Sequence, residues 1–481
     1  MTSVAAFISL LVPIIIGFAF VRTCIPGERH LCRHDWLRLY LGIGVGFGLC
    51  SCSFFVWLLT YGAAHVLYIA VEIGLAIMFG ALAAYRATGC SLCKASMALE
   101  TTLARWKHPL LILFGLIFLS ACLSFALESR IYPEGQGDAW AIWNLRARSL
   151  FRGGEQWRNA FSGTLILSLP DYPLLLPGLV ARSWIYTGTE TQDVPVGIAA
   201  LFTFATVGLL TAALSALAGR DKAVLAGIVL LGTTSFIKLG AAQYADMPIA
   251  FFFLASIVLA CMQDQLPMSG AVLLGISAAL AAWTKNEGLL FFALLLIAMK
   301  WTKQPVSRVL LGASCILALL AVFKVSLAPP NYLAQSGGIV IIRKLMSPSR
   351  YVLVAVGFVY HLIHFGGRRL NPLIPLGAAL LLLKHTAKRG ARSAAIILSG
   401  MCAGVSFVYL ITPFDLAWQI AWSLGRVILQ LWPAALFTCF YIIDFPPSPT
   451  AGLVFSSERP DGLRSGSASQ TRRPLKYRIN R

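Results

Sequence analysis

The chain has 481 residues, of which 58% are hydrophobic and 12% are charged, and its mean hydropathy is +0.77. Soluble domains carry roughly 25% charged residues, so this composition excludes an ordinary soluble enzyme. A net charge of +20 would suggest nucleic acid as the partner of a soluble protein. Here, however, Lys and Arg collect in short loops and in the C-terminal tail, as topology signals and contacts with anionic lipids do. We therefore expect a lipid bilayer, and no nucleic acid, as the partner.

Apolar runs close to the ~20 residues that cross a bilayer recur along nearly the whole chain. The first, residues 4–21, lacks a basic n-region and a small-residue cleavage site, so we interpret it as a retained span rather than a signal peptide. The pattern predicts an all-α, polytopic transmembrane helical bundle with about 12 to 14 spans. The runs before residue 328 lie near 3–21, 39–60, 65–85, 109–127, 194–217, 222–240, 248–263, 269–284, 288–301 and 308–327.

Loop charges predict the orientation of the bundle. Basic residues are frequent in the first loop (22–38) and in the third (86–107), and they are absent from the second (60–65). By the positive-inside rule, the first and third loops are cytoplasmic. The long polar segment that follows Glu128 then faces the periplasm or exterior of a bacterial inner membrane.

Residues 128–193 are expected to remain on that outer side. Prolines at 170, 173 and 177 shorten the apolar run that follows Asp171 below a comfortable span. We interpret the segment as helices that lie along the membrane interface. Its headgroup-level anchors would be Trp140, Trp143, Trp157 and Trp184, and Arg146, Arg148 and Arg152 would attract anionic headgroups.

The basic pair Arg368 and Arg369 and the basic run 384–392 cannot both be cytoplasmic if the apolar runs 351–366 and 371–384 both cross, so we expect one run to be broken or re-entrant.

The charge and composition pattern divides the chain into four parts. The parts are N-terminal helices with basic cytoplasmic loops (1–108), a core with the long periplasmic loop (109–327), C-terminal helices (328–445) and a disordered basic cytoplasmic tail (446–481).

The 11 cysteines imply no disulfide framework. Most lie inside apolar runs, where Cys behaves as a small buried hydrophobe. If both of their loops face the cytosol, two groups could share a metal ion, but reduced thiols are the expected alternative. The sequence neither requires nor excludes a divalent metal cofactor. The two groups are Cys24, His30, Cys32 and His34 in the first loop, and Cys90 with Cys93 in the third.

Three carboxylates, Asp138, Asp246 and Glu287, are predicted to lie on the outer face of the membrane. An acid at the membrane boundary is costly, and it is therefore a hypothesis for a functional site. The basic C-terminal tail, taken as cytoplasmic, places Asp415 and Arg426 near the same face. We therefore expect these distant segments to converge on one water-accessible pocket.

The acids suit the transfer of a sugar. Asp138 follows a glycine and precedes Trp140, so its carboxylate could deprotonate an acceptor while the indole stacks on a sugar ring. Asp246 would be a second acid. A helix N-cap is the alternative for both. Asp171, with Tyr172 beside it, is either a substrate contact or an ordinary turn residue.

Two cations could hold a phosphate leaving group as it gains charge. Lys285, in the sequence TKNEG, could contact phosphate as a point charge, or it could form a local ion pair with Glu287. Arg426 could bind phosphate bidentately, or its guanidinium could extend to the interface.

At these residues the chain resembles the GT-C superfamily of polyprenyl-phosphate-sugar-dependent membrane glycosyltransferases, in particular the protein mannosyltransferases and the aminoarabinose transferase of lipid A. The resemblance implies an inverting transfer from a lipid-phosphate sugar on the periplasmic face, with Asp138 at the position of the catalytic acid. A single Asp replaces the usual acidic pair of the first loop. The features that carry it are Asp138, the stretch from Asp171 to Pro177, Asp246 in YADMP, Lys285 to Glu287 in TKNEG, and a looser match in TPFDLAWQIAWSLGRVILQLWP.

The sequence therefore predicts an integral membrane glycosyltransferase that uses a polyprenyl-phosphate-linked sugar and a lipid, glycan or protein acceptor. The catalytic residues would be Asp138 and Asp246, and no metal ligand is assigned. A transporter or lipid flippase, with charges spread through the midplane, and a surface-glycan polymerase or ligase are the alternatives. The expected substrate-binding residues are Trp140, Asp171, Tyr172, Lys285, Glu287 and Arg426.

Overall fold

The computed structural model describes residues 2–25, 35–87, 109–333, 337–367, 371–386 and 388–444, without the side chains of 165–167 and 389. Residues 1–443 form one compact unit and residues 444–481 a second, of which only Asp444 is described. The tail 446–481 lies outside the described residues, as do five of the six residues considered as zinc ligands, which are His30, Cys32, His34, Cys90 and Cys93.

The predicted all-α class is confirmed, because the described residues form 19 α-helices and only two two-residue strands. The first nine helices are α1 (Thr2–Cys24), α2 (Asp35–Tyr61), α3 (Tyr68–Ala87), α4 (Pro109–Ile131), α5 (Asn144–Arg152), α6 (Leu175–Thr187), α7 (Asp193–Leu217), α8 (Arg220–Gly232) and α9 (Thr234–Ala241). The next seven are α10 (Asp246–Cys261), α11 (Met268–Thr284), α12 (Glu287–Trp301), α13 (Val306–Ser326), α14 (Gly338–Leu345), α15 (Pro348–Ile363) and α16 (Leu373–Leu382). After β1 (Lys384–His385) come α17 (Arg389–Ile411), α18 (Leu416–Gln419), α19 (Gly425–Ile442) and β2 (Ile443–Asp444).

The described part of the chain contains eight helices that are long and apolar enough to cross a membrane. A ninth span results if α8 and α9, which meet at an angle of 64°, form one broken crossing. Four shorter apolar helices, α10, α11, α15 and α16, accompany them. By length and composition the fold is therefore that of a polytopic helical membrane protein.

Helix α10 lies at the centre of the bundle, and every residue in it is buried. It packs against α7, α11, α17 and α19. Apart from Asp246 and Ser256, its sequence is apolar on all sides, and a helix of this kind is stable only when other helices surround it. The fold therefore carries the carboxylate of Asp246 into the end of the packed core.

Helices α1 and α2 approach each other through small residues. A Cβ atom added to Gly46 would lie 1.8 Å from the carbonyl oxygen of Pro13, and one added to Gly17 would lie 1.9 Å from that of Gly42. Glycines spaced four residues apart permit such backbone contact in membrane helices. This contact draws α2 into the bundle, where it packs against α6 and α7.

The loop between α4 and α7 is packed into the protein rather than spread along its surface. The exposed fraction is 1% for Trp143 and Trp157 and 2% for Trp184, against 57% for Trp140. The prediction of headgroup-level anchors is therefore wrong for three of the four tryptophans. Their indoles fill the space between the loop and the helices, because α6 enters the bundle beside α1, α2 and α11.

The arginines of the same loop bind protein groups. Arg146 is fully buried, so the prediction that it attracts lipid headgroups is wrong. Arg148 forms ion pairs with Glu134 and Glu190, and Arg152 pairs with Glu190. Burial alone would raise the pKa of Glu134, but hydrogen bonds from Gln192 and Arg148 lower it below its usual value. These contacts hold the loop against itself.

The two apolar runs of uncertain topology form two separate short helices, α15 and α16. At the start of α15, Arg350 Nε donates to the carbonyl of Leu410 at 2.7 Å, near the end of α17. Beyond α16, the N–H of Thr386 donates to the carbonyl of Ile442 at 2.9 Å, at the end of α19. Helices α15 and α16 thus connect opposite ends of the bundle, with positive φ at Gly366 and Gly367 between them. The basic pair at 368 and 369 lies outside the described residues.

A buried ion pair fastens α3 to the bundle. Arg182 Nη2 donates to Glu72 Oε2 at 2.6 Å, and the Tyr186 hydroxyl donates to the same oxygen at 2.6 Å. Arg182 Nη1 also donates to the carbonyl of Ser9 in α1, at 2.9 Å. Both charged side chains are fully buried. Because much of α3 is exposed, this pair is a main attachment of the helix.

Removal of one partner of this pair is expected to destabilise the protein strongly. In Arg182→Met, the Glu72 carboxylate stays buried without its counter-ion, so we expect the free energy of unfolding to fall by about 3–5 kcal/mol. Denaturant titration of the purified full-length protein in micelles measures this change. The control Arg152→Gln removes the exposed partner of an ion pair, which solvent screens, and should leave the free energy of unfolding close to that of the wild type. Equal losses in the two variants would contradict the assigned role.

Candidate functional site

One guanidinium nitrogen joins two of the predicted acids. Arg426 Nη2 donates to Asp138 Oδ2 at 2.6 Å and to Asp246 Oδ2 at 2.7 Å, across sequence separations of 288 and 180 residues. The side chain of Asp138 is 35% exposed, whereas that of Asp246 is 1% exposed. Because they share one nitrogen, the two carboxylates lie a few ångströms apart, close enough to act on a single bound molecule.

Further polar groups complete the site around Asp246. Lys285 Nζ lies 3.4 Å from Asp246 Oδ1 and 3.0 Å from Glu287 Oε1, and Gln430 Nε2 donates to Asp246 Oδ1. Together with Asp138 and Arg426, the cluster holds one carboxylate more than it holds cations. The cluster therefore carries a net negative charge, and each of its carboxylates pairs with a cation.

Main-chain and amide contacts explain why Asp138 and Asp246 meet. The N–H of Gln136 donates to the carbonyl of Ala242 at 3.2 Å, and Gln243 Nε2 donates to the carbonyl of Pro133 at 3.0 Å. Asn144 Nδ2 donates to Gln243 Oε1 at 3.1 Å. The segments that precede the two acids are therefore linked directly to each other.

Two π-helical turns flank the pair formed by Asp138 and Arg426. One spans Ala139–Trp143, directly after Asp138, and the other spans Ile420–Leu424, directly before α19 and Arg426. Such turns are rare in proteins overall, but those that occur are often found at functional sites, since they change the direction in which neighbouring side chains point. Here each turn adjoins one partner of the ion pair.

Aromatic rings line the cationic side of the cluster. The Arg426 guanidinium lies 4.3 Å from the centre of the Tyr244 ring, and Lys285 Nζ lies 5.8 Å from the centre of the Tyr172 ring. The rings of Tyr172 and Trp143 stack at 5.7 Å. Burial raises the pKa of the Tyr172 hydroxyl, which therefore stays neutral. Neutral rings beside cations suit the binding of a sugar next to a phosphate.

Asp171 forms a second polar cluster beside the first. Its Oδ2 accepts hydrogen bonds from Asn286 Nδ2 at 2.8 Å and from Asn331 Nδ2 at 2.6 Å. Lys324 Nζ donates to the main-chain oxygen of Asp171 and to Asn286 Oδ1. Since Asp171 is buried, these contacts satisfy its carboxylate inside the protein. Its position supports the TKNEG junction, and Lys285 with it.

The structure brings most of the predicted site residues together. The partners of Asp138 and Asp246 differ from those considered in the sequence analysis, whereas one partner of Lys285 does not. The carboxylate of Asp138 makes no capping hydrogen bond, and that of Asp246 bonds to side chains of other helices. Lys285 does form the local pair with Glu287. Asp415 caps α18 through a 2.7 Å bond from the N–H of Trp418.

Several residues at the site escaped the sequence analysis. Gln430 lies one turn after Arg426 on the same face of α19. A polar residue four positions after Arg426 in an otherwise apolar run could have identified it from the sequence. Tyr244 was visible only as part of YADMP. Lys324 and Asn331, which contact Asp171, carry no local signal, because their roles depend on contacts that cross 153 and 160 residues.

The charged side chains of the site are arranged as ion pairs. Within the described ranges, no cluster of three or more His, Cys, Asp or Glu side chains is arranged to hold a metal ion. The acids of the site are instead paired with cations. No protein-family model matches this sequence, and neither a curated protein nor a solved structure matches it.

The two acids bound by Arg426 are expected to differ in their effect on stability. In Asp246→Asn, a fully buried acid is lost, and the buried Lys285 and the half-buried Arg426 lose a counter-ion, so the free energy of unfolding should fall by about 3–5 kcal/mol. In Asp138→Asn, a partly exposed group loses one pair, and the loss should be about 1 kcal/mol or less. Denaturant titration followed by circular dichroism compares the two variants. Similar losses would show that Asp246 does not organise the cluster.

Proposed function

We propose that the protein is an integral membrane glycosyltransferase of the GT-C type, which transfers a sugar from a polyprenyl-phosphate-linked donor to a lipid, glycan or protein acceptor. One observation carries the proposal. Arg426 holds Asp138 and Asp246 at one point, at the end of a membrane-type bundle. A cation next to paired carboxylates offers both functions that the transfer needs, which are phosphate binding and proton acceptance.

In the proposed topology the site faces the periplasm of a bacterial inner membrane. The first and third loops are cytoplasmic by their basic residues, which places the loop that contains Asp138 outside. The hydrogen bond of 3.2 Å from Ser3 in α1 to Asp193 in α7 is in line with the relative placement of these two helix starts, which the loop charges put on the same side. With interrupted pairs counted once and short apolar helices included, the bundle has about 12 to 14 crossings.

In the proposed reaction, the phosphate of the donor binds Arg426, in competition with the carboxylates that now pair with it. Asp138 then accepts the proton of the acceptor hydroxyl. The acceptor oxygen attacks the anomeric carbon on the face opposite the phosphate and forms the new glycosidic bond. The bond from that carbon to the phosphate oxygen breaks, and polyprenyl phosphate leaves with the electron pair. Asp246 keeps Arg426 and Lys285 in position, and Trp140 and Tyr172 offer surfaces for the sugar.

The location of the charges favours this enzyme over a transporter. Asp246 begins α10, Lys285 directly follows α11, and Arg426 is the second residue of α19. A translocation path calls for charges distributed along the helices, through the midplane. The pair of Glu72 and Arg182 is fully buried, and so it does not contact solvent.

Loss of the carboxylate of Asp138 should abolish most of the activity. We expect Asp138→Asn to lower turnover by about 100-fold or more, since a positioned base contributes at least this factor. The assay incubates purified full-length protein with undecaprenyl- and dolichyl-phosphate-linked monosaccharides and a bacterial glycolipid extract. Mass spectrometry then measures the released polyprenyl phosphate.

The matched control is Asp193→Asn, which alters an exposed acid at the same end of the bundle but outside the cluster. It should retain wild-type turnover. Equal turnover of Asp138→Asn and wild type would remove Asp138 from the mechanism. Movement of a lipid-linked sugar across proteoliposomes without release of polyprenyl phosphate would overturn the enzyme in favour of a flippase.

A further inference from the structure

A cavity of about 630 Å³ lies at the end of the bundle opposite the candidate site, where α12 ends and α17 begins. The hydroxyls of Thr302 and Ser393 meet at 3.2 Å and join the two helices beside it. The described residues that line the cavity include two cations and no acid; they are Trp301, Thr302, Lys303, Arg392, Ala395 and Ile396.

The backbone at Lys303 adopts a conformation that usually requires glycine. Its φ is +57°, in the left-handed region. The N–H of Gln304 donates to the carbonyl of Met299 at 2.9 Å, and the N–H of Lys303 donates to that of Lys300 at 3.2 Å. This bonding closes α12 as a helix C-terminal motif in which glycine is strongly preferred. A lysine in this position is strained, and strain of this kind is retained where a side chain has a task.

The two cations and the apolar wall fit one class of ligand. Lys303 and Arg392 are both exposed, from adjacent helix ends, and the start of α17 adds the positive end of a helix dipole. Trp301, 79% exposed, and Ile396 offer apolar surface next to these charges. A soluble anion would use only the charges, whereas a phospholipid uses both features. Basic pockets between membrane helices bind anionic headgroups in this way.

We propose that this cavity binds an anionic phospholipid from the bilayer leaflet opposite the candidate site. Its phosphodiester pairs with Lys303 and Arg392, and its acyl chains lie along Trp301 and the first turns of α17. The site is separate from the acid cluster, and it does not depend on the transferase activity.

Native mass spectrometry of the full-length protein, released from detergent, tests the proposal. Phosphatidylglycerol and phosphatidylcholine with identical acyl chains are titrated against the wild type, and preferential retention of phosphatidylglycerol is expected. Lys303→Gly and Arg392→Gln should each weaken that retention about fivefold, and the double variant about 25-fold, with the loss of one and two charges near the membrane surface. Lys300→Gln, which removes an exposed cation of the same helix outside the cavity, should retain it.

Lys303→Gly separates binding from folding. Glycine relieves the left-handed backbone, so the melting temperature should stay the same or rise while lipid retention falls. Equal retention of the two lipids by the wild type, or unchanged retention in the double variant, would overturn the proposal. So would glycerophosphoglycerol, the headgroup without acyl chains, if it displaced the lipid at equal concentration, because the site would then bind a soluble anion.

Discussion

The pairing of Asp246 with Arg426 is the interaction on which the architecture depends. Asp246 begins a helix that is buried along its whole length, and a carboxylate in such a place costs several kcal/mol unless cations and hydrogen-bond donors surround it. Those groups come from the junction after α11 and from α19. The need to neutralise one acid therefore determines which helix ends gather around it. The chemistry proposed for the protein uses the same contacts that assemble its core.

Local sequence information was sufficient for the helical class and for the gathering of Asp138, Asp246 and Glu287 at one end of the bundle. Both follow from short-range rules. Apolar runs indicate the membrane crossings, and an acid at the end of a run indicates a membrane boundary. The same rules located Lys285 and Arg426, since cations beside such acids have few alternatives to pairing. Their partners, by contrast, were left open, as phosphate or Glu287 for Lys285 and as phosphate or the membrane interface for Arg426.

What the sequence left undetermined depends on contacts between distant segments. Trp143 and Trp184 are of the residue type that anchors proteins at the membrane interface. In the structure, however, α6 packs inside the bundle and the two indoles are buried with it. No local pattern distinguishes an indole that faces lipid from one that faces protein. Helices α15 and α16 are a similar case, because the local pattern did not determine which of the two runs was broken or re-entrant. Only the bonds from Arg350 and Thr386 to opposite ends of the bundle show the path of this segment.

The π-helical turns beside Asp138 and Arg426 have a consequence for variation among related chains. A π turn holds one residue more than an α turn, so deletion of a single residue from either would restore regular winding and rotate the adjoining side chain by roughly 100° about its axis. Point changes within these turns leave the register intact. In natural variants, the number of residues in each turn should be preserved more strictly than their identity, which makes gap positions in an alignment more informative there than substitutions.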